Sequence, residues 1–188
     1  MGAGGVRFRL LYEGPLRGNR RRAEEKDRIR LDFSRQLRQL WTDNPVLFNL
    51  RQHSESYSVR EVGERFFLPM AVKSLFFRCE VEILILSPTR DLNVVRNADI
   101  DNRLKTLIDA MRLPTQSSEV SKVIGENTKS EPVYVLLEDD CLITSISAKS
   151  DSLLGANPSE VSDCYSKAII SIHLFPLIPT MDTMSLIG

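Results

Sequence analysis

The chain lacks paired cysteines, long apolar runs and any surplus of charge, and each absence narrows its chemistry. Cys79, Cys141 and Cys164 are odd in number, widely spaced and free of any Cys-x-x-Cys pair, which argues against a disulfide framework and against a zinc site. No apolar run reaches the eighteen or more residues of a membrane span. The opening Met1-Gly2-Ala3-Gly4-Gly5 has neither a hydrophobic signal region nor the Ser or Thr of a myristoylation site, so the expectation is a cytoplasmic protein with no membrane partner. There is no Gly-x-Ser-x-Gly elbow and no Walker loop, and Gly4-Gly5 precedes a strand instead of joining one to a helix. Serine-hydrolase and nucleotide-fold readings fall with those motifs. Histidine is scarce: His53 reads as a surface loop residue and His173, inside an apolar run, as a satisfied sheet histidine.

What is present suits one globular domain over residues 1–188, with 42% hydrophobic residues to build a core. Net charge is zero, yet residues 1–40 carry eleven Arg plus Lys against five Asp plus Glu, and the remainder carries fourteen against twenty. The chain is therefore electrically polarised. Arg17, Arg20, Arg21 and Arg22, followed by Lys26, Arg28 and Arg30, gather around a helix start, where guanidinium groups can hold phosphates by bidentate contacts. The alternative is a solvated arginine face.

Periodicity supplies the elements. Val6 to Tyr12 alternates apolar residues with Arg7 and Arg9, a half-buried strand closed by Gly14-Pro15. Ile29, Phe33, Leu37, Leu40 and Trp41 recur at helical spacing between Ala23 and Trp41, and Asp43-Asn44-Pro45 ends that helix. Residues 46–74 carry a short element near Val59 to Phe67, interrupted at Pro69. Phe76 to Leu86 reads as a central strand, Val133 to Leu137 and Ile143 to Ala148 as further strands, and Lys167 to Phe175 as a β-branched strand. The Ser-, Glu- and Lys-rich stretch 113–132 reads as a mobile excursion and 176–188 as a frayed tail. This order implies an α/β (α+β) domain, a mixed β-sheet with helices packed on it.

The chemistry concentrates in two acidic pieces. Leu104, Leu107, Ile108 and Met111 form the apolar face of a short helix that Leu113-Pro114 stops, with Asp101 or Asn102 suited to its N-cap. Asp99 and Asp101, on an extended lead-in, point the same way because strand side chains alternate with period two, and the positive end of the helix favours negative charge there. Lys105 follows Asp101 by four residues and Asp109 follows Lys105 by four, so a solvated salt-bridge ladder is the plain alternative. The second piece is Glu138-Asp139-Asp140 between two strands. Glu80 and Glu82 share one face of the central strand, which surface alternation explains.

Asp99-Ile100-Asp101-Asn102 with Lys105 and Asp109-Ala110, then Asp139-Asp140 with an apolar residue shortly after, resembles the RusA-type Holliday-junction resolvases. The likeness spans roughly residues 75–148, and Pro15 to Arg20 loosely echoes a turn after the first strand of that family. The chain is longer than a minimal RusA-type protein, and its link between Met111 and Val133 exceeds the family's. The resemblance implies a RusA-like fold and a magnesium-dependent endonuclease acting as a homodimer on branched, four-way DNA. It implies Asp99, Asp101 and Asp140 as catalytic metal-binding carboxylates, Asp139 as a further metal ligand, Lys105 as the essential basic residue and Asn102 as part of the motif. Phosphodiester hydrolysis needs charge relief at phosphorus, which Mg2+ (or Mn2+) held by oxygen ligands supplies, and the scarcity of histidine agrees with such a hard ion. The alternative is a non-catalytic nucleic-acid- or protein-binding relative that keeps the fold.

Overall fold

The structure, a computed structural model, describes residues 4–16, 23–54, 57–88, 97–154 and 165–186. In chain order the described elements are β1 (Val6–Pro15), α1 (Ala23–Asp43), α2 (Pro45–His53), β2 (Arg60–Val62), β3 (Arg65–Ala71), β4 (Phe77–Ser87), α3 (Asn97–Met111), β5 (Val133–Leu137), β6 (Ile143–Ser152) and β7 (Tyr165–Pro176). Four strands form a mixed sheet in the order β1-β7-β4-β6, and three form a second in the order β2-β3-β5. Within the first sheet β7 runs antiparallel to both neighbours while β6 runs parallel to β4. In the second, β3 and β5 are parallel. The fold is thus mixed α+β, with helices packed against mixed sheets.

Alternation decides which sheet face is buried. Leu10 and Tyr12 of β1, Val81, Ile83 and Ile85 of β4 and Ile170, Ile172 and Leu174 of β7 point into one cluster with Ile29, Phe33, Leu37 and Trp41 of α1 and Leu107, Ala110 and Met111 of α3. At about 25 cal/mol per Å2, each such side chain stabilises the fold by roughly 1.5–3 kcal/mol relative to leaving it exposed. Trp41 is anchored further by its indole N–H, which donates to Leu47 O at 2.9 Å, and by edge-on contacts with Tyr57 and Tyr134.

Several boundaries move for local reasons. Asn44-Pro45, read as a stop, also starts α2: the Asn44 side chain accepts the N–H groups of Val46 and Leu47, and Pro45 occupies the first turn. β1 continues through Gly14 and Pro15 because it pairs only with β7, and an edge strand tolerates a missing donor. Pro69 lies within β3, at a register beyond the reach of the three-residue β2. Phe76 sits before β4 in the left-handed conformation, with φ 55°. β6 runs on to Ser152 as an exposed edge.

The two stretches expected to be mobile or frayed are largely exposed where described, and each contributes a few buried residues. In 113–132, Ile124 joins Phe67, Val133 and Val135 in a second buried cluster, and the Ser121 N–H donates to the buried Asp27 at 2.6 Å. Beyond Pro176, Thr183 and Leu186 are buried and a 3-10 turn spans Met184–Leu186. Among the described residues, no helix is long and apolar enough to cross a membrane. Cys79 and Cys141 are free thiols, and burial pushes the Cys79 thiol up to about 12; Cys164 lies outside the described residues.

Candidate functional site

The backbone of α3 begins at Asn97, so Asp101 and Asn102 lie inside the helix and not at its N-cap. This changes the expected geometry. Residues 99 and 101 are helical instead of extended, and helix positions two apart do not share a face. Only the backbone of Asp99 is among the described features. Asp101 and Lys105 are both exposed and one turn apart. The salt-bridge ladder does not form: the hydrogen bonds and ion pairs among the described residues give neither Asp101 nor Lys105 a partner, and Asp109 turns elsewhere. Its carboxylate meets Lys26 of α1, and the Arg112 Nε lies 3.4 Å from its other oxygen. Asn102 is exposed, and its carbonyl accepts the Thr106 hydroxyl at 2.9 Å.

A buried ionic network explains where the rest of the basic cluster goes. Asp27 and Arg30, both essentially inaccessible, pair one turn apart on α1, and Arg30 Nη2 donates to Asp109 O at 2.9 Å. Burial lowers the Arg30 guanidinium from its ordinary value, with Asp27 opposing that shift. Arg112 reaches on to Glu119, whose carboxylate accepts the Thr115 N–H at 3.2 Å. Lys26 and Arg30 are therefore structural, while Arg28 is exposed. Arg17, Arg20, Arg21 and Arg22, the expected DNA contacts, lie outside the described residues.

The acidic triplet occupies a corner. Here β3 passes into β4 through a 3-10 turn at Lys73–Leu75, and β5 into β6 through another at Asp140–Leu142. Glu138 bridges the two turns: its N–H donates to Ala71 O at 2.9 Å and its carboxylate accepts the Lys73 N–H at 2.7 Å. Asp139 meets Lys73 Nζ at 2.8 Å and caps the second turn by accepting the Cys141 N–H at 2.9 Å. The Lys73 ammonium foremost, then Cys141, hold the Asp139 carboxyl well below the usual carboxylate range. Asp139 is thus committed to the corner. Asp140 is exposed and, among the described residues, has no side-chain partner.

The two halves of the motif are tied to opposite ends of β4. Asp140 leads into Ile143, which pairs with Cys79 near the start of that strand, whereas Arg103, two residues after Asp101, donates to the Ser87 hydroxyl at its end, at 3.0 Å. From 79 to 87 an extended strand covers roughly 26 Å. Accordingly, no three His, Cys, Asp or Glu side chains group to hold a metal among the described residues.

No family model matches the chain, and no curated protein or solved structure matches it.

The donor chemistry at α3 suits a hard cation, for Asp101 offers one carboxylate and stands one turn from the Lys105 ammonium, which has no partner among the described residues. Magnesium can be held by one or two carboxylates plus substrate phosphates. The expected inclusion of Asp139 is not what its pairing with Lys73 favours.

Proposed function

We propose that the protein is a Mg2+-dependent, structure-selective endonuclease, a single cytoplasmic RusA-like domain that hydrolyses phosphodiester bonds of branched, four-way DNA as a homodimer. One observation carries the reading. Among the described motif residues, Asp109, Glu138 and Asp139 are engaged in structural bonds, while Asp101, Lys105 and Asp140, three of the four assigned to catalysis, are exposed and unpaired. Side chains that share a helix face at pairing distance yet stay apart are available to a substrate.

In this reading Asp101 holds the ion together with phosphate oxygens of the substrate, with Mn2+ as a substitute; Asp99, two positions away on the helix, does not share its face, and Asp140, tied to the opposite end of β4, is too distant to share that ion. When bound, the ion supplies neutralisation of charge at the phosphoryl oxygens. Lys105 presents its ammonium to a non-bridging oxygen of the scissile phosphate, a contact that strengthens as charge develops there. Asn102 offers amide donors and an acceptor from the adjacent helix position. Arg17, Arg20, Arg21 and Arg22 hold flanking phosphates, positioning the DNA without reading its sequence.

The test is a cleavage panel of four-way, flap, duplex and single-stranded DNA, with Mg2+ and with chelator, on wild-type, Asp101→Asn and Asp140→Asn proteins. Cleavage of branched DNA that needs Mg2+, is lost in Asp101→Asn and is kept in Asp140→Asn supports the proposal. Undiminished cleavage by Asp101→Asn would falsify it.

The second reading, a non-catalytic binder that keeps the fold, is favoured by the attachment of the segments that carry Asp101 and Asp140 to opposite ends of β4, through Arg103 and Ile143. It predicts no cleavage with either ion but DNA binding that weakens steeply with salt. Binding to a protein instead would show no such slope.

A further inference from the structure

The sheet face opposite the core carries a second constellation, built by register alone. Arg7 of β1 lies opposite His173 of β7, which lies opposite Glu80 of β4; one step along, Arg9, Ser171 and Glu82 form a parallel row. These six residues line a groove of about 350 Å3 across three strands. The small Ser171 leaves the middle strand low, and the long side chains of β1 and β4 form the walls. Gly5 keeps one end bare: a Cβ there would lie 2.5 Å from Leu174 O and 3.0 Å from His173 Nε2, so no side chain fits.

Of the charged side chains in this groove, only Glu80 has a partner among the described residues. Glu80 faces His173, at 3.1 Å from Nδ1. The side chains of Arg7, Arg9 and Glu82 are exposed and, among the described residues, have no hydrogen-bond or ion-pair partner. One wall therefore presents two unpaired guanidinium groups and the other an unpaired carboxylate, on strands about 10 Å apart. A simple anion would be attracted by Arg7 and Arg9 but repelled by Glu80 and Glu82, and a simple cation would meet the reverse. A molecule charged oppositely at its two ends satisfies both walls at once.

We propose that this groove binds a small zwitterion, its phosphate or carboxylate forked by Arg7 and Arg9 and its primary amine on Glu82, with Ser171 and His173 as the polar floor. Guanidinium pairs suit such oxyanions because their planar forks give two parallel hydrogen bonds. The site is independent of the acids on α3, which belong to another element.

Calorimetric titration of the full chain with O-phosphoethanolamine, beside inorganic phosphate, tests it. Saturable binding of phosphoethanolamine about tenfold tighter than phosphate is expected, the size of one added charge-assisted hydrogen bond. Arg7→Gln combined with Arg9→Gln should abolish binding of both probes. Glu82→Gln should bring phosphoethanolamine down to the affinity of phosphate while leaving phosphate binding no weaker. All three side chains are exposed, and circular dichroism identical to wild type confirms that the variants fold. Absence of saturable binding to wild type, equal affinity for the two probes, or a Glu82→Gln protein that still prefers phosphoethanolamine overturns the proposal.

Discussion

At the C-terminal end of α3, Asp109 is held by Lys26 and Arg112 while its carbonyl accepts the buried Arg30; eight residues earlier, Asp101 stands exposed with no partner among the described residues. In sequence the two aspartates belong to one stripe with Lys105 between them. Each four-residue step, however, advances about 40° around a helix of 3.6 residues per turn, so two steps carry Asp109 some 80° from Asp101. That drift, together with the packing of α1 on α3, turns one end of the stripe into the core network and leaves the other to solvent. Identical residue types thus serve structure at one end and remain available at the other.

Breaking the buried end should give the largest effect. Asp27→Ala leaves Arg30 charged and buried and the Ser121 N–H unpaired, so a loss of about 3–5 kcal/mol in urea denaturation is expected. A loss under about 1 kcal/mol would mean that the network is not what fixes this end.

At the open end the effect should be on chemistry. Asp101→Asn is expected to change stability by less than about 0.5 kcal/mol, as exposed substitutions do, while lowering Mg2+-dependent cleavage at least about a hundredfold. Asp109→Asn should do the opposite, costing about 1–2 kcal/mol through weakened pairing with Lys26 and Arg112 and leaving cleavage within about threefold. If the two variants behave alike in both assays, the division of α3 into two ends is wrong.

The smallest effect should come from the corner. The Asp139 carboxyl is lowered below its unfolded value, so the stability it contributes is complete above the ordinary carboxylate range and is lost as pH falls through the lower folded value. Lys73→Ala should therefore flatten the acid limb of a stability-versus-pH curve measured by urea denaturation, by a modest amount because both groups are solvated. Parallel curves for wild type and variant would show the pair to be inert.

Local pattern was enough wherever one face of an element meets the core. The alternation of β1, β4 and β7 and the helical spacing of Ile29, Phe33, Leu37 and Trp41 were readable because burial imposes a period on the residues themselves. α2 was hidden because Asn44-Pro45 both ends one helix and starts the next, and β3 because Pro69 looks like a breaker until its partners are known. The contacts that Ser121 and Ile124 make within 113–132 depend on Asp27 and Phe67, far away in the chain. The groove on the outer sheet face left two separate traces, Arg7 and Arg9 alternating with apolar residues in β1 and Glu80 and Glu82 sharing one face of β4, and only strand pairing brings them together.

By itself the sequence determined which residue types are available and where. It places carboxylates and an amine at the start of one short helix, an acidic triplet between two strands, and the apolar periods that make those elements. Only the tertiary structure decided which of those charges are paired. Lys73 reaches Asp139 and Lys26 reaches Asp109 because strand pairing and helix packing bring them together across long stretches of chain. A charge meets its partner through space, and distance through space is set by the fold.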